Sequence, residues 1–338
     1  MSTKNTLSPG IGLDIGTMNI VSSRGTVEGK TRTASVRDAF LDIELENKTS
    51  LKLAKVDYVE KPQALIVIGD SALRMANLFK REARRPLSKG VISAGELDAQ
   101  EILLLLIQHV TGRPVEDGEH CYYSVPAEPI DVDGQDVVYH REVFKKILKS
   151  LGYDPSPTNE AQAIIFSQCA EENFSGLAVS YGAGMCNVAL SYQAASALEF
   201  SVARGGDWVD SQSAKAVGKT ASQMCAIKER GLDLANPSSR EEEALTLYLR
   251  ALIEYSLKNI AAQFKQVQSQ VDLPEPIPFI VSGGTSKANG FIDLFKDEFE
   301  TIKKKGFPIP ISEVRAAGNP LTAVSEGLLV LAQSEYEE

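Results

Sequence analysis

The order of apolar and polar residues near the start of the chain predicts a β-hairpin. Apolar Ile11, Leu13 and Ile15 alternate with small or polar residues, Gly16 interrupts the pattern, and apolar residues resume at Ile20. A strand, a tight turn and a second strand produce such an order. Because glycine lets the backbone approach a ligand closely, successive N–H groups in this turn can point at phosphate oxygens. Hairpins of this kind without a ligand are common, so the pattern allows both interpretations.

A second stretch, residues 178–190, repeats this design in the other half of the chain. It contains an apolar strand, a turn with Gly182 and Gly184, and a new strand after Asn187. An internal repeat predicts two similar halves that face each other. Two glycine turns could then hold one polyphosphate from both sides. Aligning the turns on their first glycines leaves two extra residues in the second turn and pairs Gly16 with Gly182, Asp14 with Ser180, and Asn19 with Asn187.

The rest of the pattern alternates strands with helices. In the first half it predicts strands at 64–68 and 121–125, and helices at 69–79, 96–109 and 139–151. In the second half it predicts strands within 189–202 and at 278–281, and helices that begin at Glu160, Ser239 and Gly290. Strands followed by helices, twice over, predict an α/β fold with two sheets flanked by helices. We expect the glycine turns at 16–17, 182–184 and 283–285 to converge on a cleft between the halves, where ligands usually bind.

Arginines are concentrated at 81–85, immediately before a proline. We interpret this cluster as the solvated end of the preceding helix rather than as a binding patch. Residues 85–92 predict a loop that leads into a strand.

Composition limits the possible partners. The 338 residues suffice for two domains, each with its own core. A net charge of −10 argues against general nucleic-acid binding, which needs clustered basic residues. The four cysteines form no Cys-x-x-Cys pair, so we expect reduced thiols and no zinc site. Residues 1–9 lack the apolar core of a signal peptide and no apolar run could span a bilayer, so we expect a cytoplasmic protein without an integral membrane segment.

Glu160 begins a predicted helix just before the second hairpin. An acidic residue in the first turn of a helix ordinarily stabilises the helix dipole. The same carboxylate could also point into the cleft and orient a water molecule as a base. The sequence position agrees with both roles.

Taken in order, these motifs resemble those of the actin-like ATPase superfamily, and within it the bacterial filament proteins of the MreB and MamK kind. Each motif is weak alone, but the ordered set is specific. The resemblance implies an actin-like fold, in which two ribonuclease-H-like domains flank a nucleotide cleft. The similar segments span nearly the whole chain: residues 12–20 (first phosphate motif), 85–92, 182–188 (second phosphate motif), 205–207, 227–229, 281–285 (adenosine motif) and 319–327.

The resemblance also implies a division into domains. Domain I would comprise residues 1–155 and include a small second subdomain at 33–88. Domain II would comprise residues 156–338 and include a reduced, mostly helical subdomain at 211–272.

ATP or ADP with Mg²⁺ are the ligands that the resemblance implies. Asp14 would hold the metal through its water shell, and Glu160 would position the attacking water. Phosphoryl transfer to water would then depend mainly on positioning and charge stabilisation. The implied nucleotide-binding residues are Gly16, Thr17, Met18, Asn19, Gly182, Ala183, Gly184, Gly206, Lys228, Glu229, Gly283, Gly284 and Thr285.

Two departures from the superfamily pattern affect the expected activity. The second phosphate motif normally opens with an aspartate, and here Ser180 stands in its place, which predicts slow hydrolysis or weaker metal binding. The segment between Lys228 and Gly283 is shorter than in MreB and mostly helical by its pattern. Because the usual subdomain there makes longitudinal filament contacts, polymerisation is less strongly implied than nucleotide binding.

Two functional hypotheses follow. The first is an ATP-hydrolysing cytoskeletal protein that polymerises with itself into filaments and could carry a protein cargo. The alternative is a non-polymerising adaptor or chaperone-like ATP-binding protein similar to PilM or EutJ, which Ser180 and the reduced segment favour. A sugar or acetate kinase is less favoured, because no substrate-deprotonating aspartate can be placed.

Overall fold

The computed structural model describes residues 7–79, 81–93, 95–96, 98–133 and 137–337. Residues 1–6 of the polar N-terminal segment and residue 97 of the predicted helix 96–109 lie outside these ranges. The strands are β1 (Leu7–Ile15), β2 (Asn19–Thr26), β3 (Thr31–Arg37), β4 (Phe40–Ile43), β5 (Tyr58–Glu60), β6 (Leu65–Ile68), β7 (Leu87–Ser88), β8 (Val91–Ile92), β9 (Glu119–Val125), β10 (Tyr153–Asn159), β11 (Gly176–Tyr181), β12 (Cys186–Tyr192), β13 (Ala195–Val202), β14 (Ile277–Ser282) and β15 (Ile311–Ala316). The helices are α1 (Lys48–Leu53), α2 (Gly69–Phe79), α3 (Ala99–Thr111), α4 (Val137–Ser150), α5 (Glu160–Gln168), α6 (Gly206–Val217), α7 (Ala221–Glu229), α8 (Arg240–Val267), α9 (Phe291–Lys303) and α10 (Ala323–Ser334).

Two five-stranded sheets of the same design form the centre of the molecule, as the repeated hairpin predicted. The first has the order β10-β9-β1-β2-β3 and the second the order β13-β12-β11-β14-β15. In each sheet the hairpin strands are antiparallel, and a strand from later in the chain pairs in parallel with the first hairpin strand. The predicted apolar positions Ile11, Leu13 and Ile15 are buried in the core of the first sheet. The predicted α/β fold with two sheets is therefore confirmed.

Strand β10 was not predicted, because its sequence contains Pro155 and Pro157. The strand lies at the edge of the first sheet and pairs only with β9 among the described strands. The two prolines are two residues apart, so both lack their N–H on the same side of the strand, and an edge strand can leave that side unpaired. The strand runs past the predicted domain boundary at residue 155 and leads directly into α5.

Helices α5 and α10 pack against each other between the sheets. A Cβ atom on Gly327 of α10 would lie 1.7 Å from the carbonyl oxygen of Ala163 in α5, so only glycine allows this approach. On its other side α10 packs on β1, where a Cβ atom on Gly12 would lie 2.0 Å from the carbonyl oxygen of Ser325. The end of the chain thus returns to the first sheet and joins the two halves.

The arginine-rich segment at 81–85 is not a helix end, so that prediction was wrong. The preceding helix ends at Phe79, and Arg84 exchanges two backbone hydrogen bonds of 2.9 Å with Phe40. Residues 87–92 form a small hairpin of β7 and β8 instead of a simple loop. Lys89 and Gly90 form its turn with φ values of 50° and 79°, the left-handed conformation that such tight turns require.

Two smaller units extend from the sheets. Strands β4, β6 and β5 form a three-stranded sheet with its own apolar core beneath α1 and α2. In the second half, α6, α7 and α8 fill the segment between β13 and β14 of the second sheet, and no strand lies in this segment of the described chain. The predicted apolar stripe of α8 is buried at Leu245, Leu249, Leu252, Ile260 and Phe264. Among the described helices, none combines the length and hydrophobicity that crossing a bilayer requires.

Candidate functional site

A cavity of about 560 Å³ lies between the two halves of the molecule. Its volume is within the range of sites for small molecules and cofactors. Of the residues that the sequence singled out, the following line it: Asp14, Gly16, Thr17, Met18, Asn19, Glu160, Gly182, Ala183, Gly184, Lys228, Glu229, Gly283, Gly284 and Thr285. Residues that are up to 271 positions apart in the sequence are thus brought to one cavity.

The two glycine turns have the same length, which corrects the sequence alignment. In the first, Gly16 donates its N–H to the carbonyl of Asn19 at 3.0 Å; in the second, Gly182 donates to Met185, also at 3.0 Å. Each turn therefore has four residues, and the second has no insertion. Asn19 corresponds to Met185, not to Asn187. The alignment of Asp14 with Ser180 remains correct, because each lies two residues before its turn's first glycine.

The turns present free amide groups. Within the described residues, the N–H groups of Thr17, Met18, Ala183 and Gly184 donate to no protein acceptor. Carbonyl oxygens of the second turn accept hydrogen bonds from other parts of the protein. The carbonyl oxygen of Gly182, for example, accepts from the Thr285 hydroxyl at 2.9 Å. Successive free N–H groups in a turn are suited to bind an anion.

The turns also approach each other through the hairpin of β7 and β8. The N–H of Gly90 donates to the hydroxyl of Thr17 at 3.1 Å. A Cβ atom on Gly184 would lie 2.4 Å from the Gly90 nitrogen and 2.5 Å from the Thr17 hydroxyl oxygen. The first turn, the hairpin and the second turn are therefore in direct contact, and Gly184 is small because no space remains for a side chain.

Gly206 lies behind the second turn and is not one of the residues that line the cavity. Its N–H donates to the carbonyl of Gly182 at 2.9 Å. A Cβ atom there would lie 2.6 Å from the Thr285 hydroxyl oxygen and 3.1 Å from the Lys228 ammonium nitrogen. Its position supports the turn rather than forming the cavity surface.

Asp14 is the acidic residue before the first turn. Burial raises the pKa of its carboxyl group to about 6, and a hydrogen bond from Ser124 acts in the opposite direction. The Ser124 hydroxyl donates to Asp14 at 2.9 Å and accepts from the Ile15 N–H at 2.7 Å, which fixes its orientation. Ser124 was not recognised in the sequence, where only its place at the end of a predicted strand would have indicated it.

Glu160 is the first residue of α5. Asn159 caps this helix, since its side-chain oxygen accepts from the N–H groups of Ala161 and Gln162 at 2.8 and 3.2 Å. Burial, together with the negative charge of Asp14, raises the pKa of Glu160 to about 8, although hydrogen bonds with Asn187 and Ser180 act in the opposite direction. The two carboxyl groups therefore share one desolvated region. Like charges held together in this way disfavour simultaneous ionisation.

Asn187 is buried next to this carboxyl pair. Its side-chain oxygen accepts from the N–H of Ala127 at 3.1 Å, across the two halves. The sequence indicated Asn187 only as part of the repeated hairpin, in the wrong alignment, and gave it no role.

Lys228 and Glu229 line the cavity, but both already have protein partners. The Lys228 ammonium group lies 2.7 Å from the carboxylate of Asp210. Glu229 forms an ion pair with Arg37, from the first half of the chain, at 2.9 Å. Sequence reasoning missed Arg37, because nothing local marks an arginine at the end of a strand as a cavity residue.

A second ion pair crosses the molecule near the cavity. Arg85 donates to both carboxylate oxygens of Asp207, at 3.2 and 2.8 Å, and Asp207 lines the cavity. The positive charge of Arg85 also lowers the pKa of the wholly buried Asp38, although burial keeps that pKa well above its ordinary value. The sequence interpretation of this arginine as solvated was therefore incorrect.

A sequence model of the Volactin family matches residues 10–332. The chain belongs to the Volactin family. No sequence in a search of curated proteins matches this Volactin-family chain.

Solved structures show that this member of the Volactin family has the actin-like fold that the motifs implied. It is similar to the MamK double helical filament, with a TM-score of 0.69 and 18% identity over 96% of this chain and 98% of that chain. It is similar to MreB5 of Spiroplasma citri bound to ADP, with a TM-score of 0.62 and 16% identity over 98% and 99% of the two chains. The ethanolamine utilization protein EutJ from Carboxydothermus hydrogenoformans has a TM-score of 0.58 and 16% identity over 96% and 90%.

The donors in this Volactin-family cavity fit a divalent cation that keeps most of its water ligands. In the part of the chain that the structure describes, no group of three or more His, Cys, Asp or Glu side chains could hold a metal ion alone. Asp14 and Glu160 nevertheless share the cavity. Their pKa values are shifted by burial, by hydrogen bonds and, for Glu160, by the charge of Asp14, and not by a positive side chain. Mg²⁺ in phosphate sites is commonly held by one or two carboxylates together with substrate phosphates. The residues therefore suit Mg²⁺ that enters with a nucleotide.

Proposed function

We propose that this chain binds ATP with Mg²⁺ in the cavity between its halves and hydrolyses it. The observation that carries the proposal is the pair of equal turns, whose free N–H groups lie in one cavity with two carboxyl groups. Backbone amides suit the polyphosphate, and the carboxyl groups suit a cation and a water nucleophile. The ADP bound in the similar MreB5 structure supports a nucleotide as the ligand.

In this proposal each group of residues has its own role. The amides of Thr17, Met18, Ala183 and Gly184 bind the β- and γ-phosphates. Asp14 holds the water shell of Mg²⁺, which when bound neutralises phosphate charge, and Glu160 orients the attacking water. The nucleoside is bound by Lys228, Glu229, Gly283, Gly284 and Thr285. Ser180 adds no charge to the metal site, so we expect slow hydrolysis.

Calorimetric titration of ATP with Mg²⁺ tests the binding step, and phosphate release tests hydrolysis. Glu160→Ala should bind ATP with nearly unchanged affinity and hydrolyse it about 100-fold more slowly, the usual scale of a lost general base. Absence of binding heat in the unaltered protein would refute the nucleotide site. Equal turnover in Glu160→Ala would show that another group orients the water.

We further propose that the protein polymerises into cytoplasmic filaments. The similarity to a MamK filament supports this, since it extends over 96% of the chain. The small sheet of β4, β5 and β6 provides the second subdomain that filament-forming members of the superfamily use. Negative-stain electron microscopy with ATP and Mg²⁺ should show filaments. Monodisperse particles under all nucleotide conditions would exclude polymerisation by the protein alone.

A non-polymerising adaptor is the second candidate function. Its support is the all-helical segment α6 to α8 and the similarity to EutJ over 96% of the chain. An adaptor would bind ATP as a monomer and recruit a protein partner in a nucleotide-dependent way. Sedimentation of a persistent monomer with bound ATP, together with capture of one defined partner, would favour it over the filament.

A further inference from the structure

One ion pair connects the two halves directly across the cavity. Arg37 donates to Glu229 in a two-pronged arrangement, with nitrogen–oxygen distances of 2.9 and 3.1 Å. The guanidinium group also lies 3.8 Å from Asp70, which belongs to its own half. All three residues line the cavity. Two-pronged arginine–carboxylate pairs are more strongly oriented than single contacts.

The two partners come from separate structural units. Arg37 is the last residue of β3, the edge strand of the first sheet, and pairs across the strands with Asn19 of the first turn. Glu229 is the last residue of α7 in the second half. The side chains are 23% and 44% exposed, so the pair lies where the cavity meets solvent. It therefore lies at the mouth of the cavity.

Glu229 needs a positive partner at this position. A carboxylate in the last turn of a helix is opposed by the helix dipole. The adjacent Lys228 does not compensate it, because its ammonium group is held by Asp210 at 2.7 and 2.8 Å. The compensating charge comes instead from Arg37, in the other half, so the local conflict in α7 is relieved only when the halves are together.

We propose that the Arg37–Glu229 pair is a clasp that holds the mouth of the cavity closed and slows the release of a bound nucleotide. The inference depends on the proposed nucleotide site and adds to it the control of exchange. A nucleoside di- or triphosphate that leaves the cavity requires the halves to separate at the mouth, and this separation breaks the pair. The pair of Arg85 and Asp207 is a different contact and is left intact by the variants below.

Stopped-flow release of a fluorescent N-methylanthraniloyl ATP, chased with excess ATP and Mg²⁺, tests the clasp. Arg37→Ala should release the probe about 2- to 5-fold faster at low salt, the range for a partly exposed ion pair. Arg37→Glu should be faster still, because it places like charges beside Glu229 and Asp70. Higher salt should accelerate probe release from the unaltered protein, since salt screens exposed ion pairs. The release rates of the unaltered protein and Arg37→Ala should therefore become more similar.

Arg250→Ala is the matched control. Arg250 forms an ion pair with Glu298 between α8 and α9, and neither residue lines the cavity. Its removal should leave the release rate unchanged. Thermal melting of each variant establishes folding, and Arg37→Gln replaces Arg37→Ala if the alanine variant does not fold.

The outcomes separate the clasp from the nucleotide site. If the unaltered protein gives no calorimetric heat with ATP, the proposed nucleotide site is wrong and the clasp proposal is refuted as well. If the unaltered protein binds ATP but Arg37→Ala and Arg37→Glu release the probe at the same rate as the unaltered protein, the site stands and the clasp is refuted. Acceleration in Arg250→Ala equal to that in Arg37→Ala would also refute it.

Discussion

Single side chains set the electrostatic character of the cavity. Asp14 and Glu160 are both desolvated, and the charge of Asp14 further raises the pKa of Glu160. Ser180, which aligns with Asp14 in the second turn, contributes a hydroxyl group and no third carboxylate. Near neutral pH and without a cation, Glu160 therefore retains its proton while Asp14 is largely ionised, and a bound cation should favour ionisation of Glu160 as well.

The raised pKa of Glu160 predicts a pH-dependent stability of the metal-free protein. The folded state holds this proton up to about pH 8, whereas the unfolded chain releases it near 4.5. The folded state therefore gains stability from Glu160 below the unfolded pKa, and this contribution is lost as the pH rises through about 8. Glu160→Gln keeps the shape but does not ionise, so its stability should depend less on pH.

Thermal melts of both proteins with EDTA, from about pH 5 to about pH 9, measure this effect. The melting temperature of the unaltered protein should fall relative to that of Glu160→Gln as the pH rises. Parallel curves over the whole range would mean that Glu160 ionises in the folded protein as it does in water.

Ser180→Asp should strengthen the dependence on Mg²⁺. A unit charge at about 4 Å contributes about 1 kcal/mol even in water and more inside a protein, which corresponds to at least about a fivefold gain in Mg²⁺ affinity. Turnover should rise with it. Ser180→Asn, which has similar volume and no charge, is the control. Equal Mg²⁺ dependence in Ser180→Asp and Ser180→Asn would place Ser180 away from the metal.

The turns and the hairpin between them depend on backbone packing more than on side chains. Gly90 and Gly184 are in contact, and the Gly90 N–H donates to Thr17. The hairpin of β7 and β8 therefore contacts both glycine turns. A displacement of either turn should displace the hairpin as well, because the hairpin is in direct contact with both turns.

Gly184→Ala tests this arrangement. Its methyl group would lie 2.4 Å from the Gly90 nitrogen, so the backbone must shift, at a cost of about 1–3 kcal/mol in the free energy of unfolding. We expect a lower melting temperature and a loss of ATP binding in calorimetry. Gly95→Ala is the control, because a Cβ atom there meets nothing within 4 Å. Unchanged ATP affinity in Gly184→Ala would show that the second turn does not touch the phosphates.

Several contacts join the two halves, among them helix α10 and two ion pairs. Helix α10 packs on β1 and on β2, and the Ser325 hydroxyl group lies 2.8 Å from that of Ser23 in β2. The Arg85–Asp207 and Arg37–Glu229 pairs also join the halves, and each contributes at least one residue to the cavity lining. Ligand binding in such a cavity should stabilise the molecule as a whole.

Filament turnover is the corresponding prediction for the assembled protein. If hydrolysis loosens the filament, Glu160→Ala should form filaments with ATP and Mg²⁺ that persist longer than those of the unaltered protein. Sedimentation at intervals after ATP addition measures this, with Arg250→Ala as the control for surface changes. Equal lifetimes of the two kinds of filament would separate assembly from hydrolysis.

Much of the fold could be predicted because its signals are local. The alternation around Ile11, Leu13 and Ile15 defines a half-buried strand wherever it occurs, and the stripe of α8 defines a buried helix face. The ordered motifs also placed most of the cavity-lining residues. By contrast, β10 was hidden by its prolines, which an edge strand tolerates, and the arginines at 81–85 were misread because their partners lie elsewhere in the chain.

The sequence by itself determined the two glycine hairpins, the buried strands and helices, and the residue types that can bind phosphate, because these depend on the spacing of neighbouring residues. Only the tertiary structure decided that the turns are equal in length and meet, that Ser124 holds Asp14, and that Arg37 joins Glu229 across 192 positions of the chain. Contacts at such separations depend on how the two sheets pack, which no local pattern specifies.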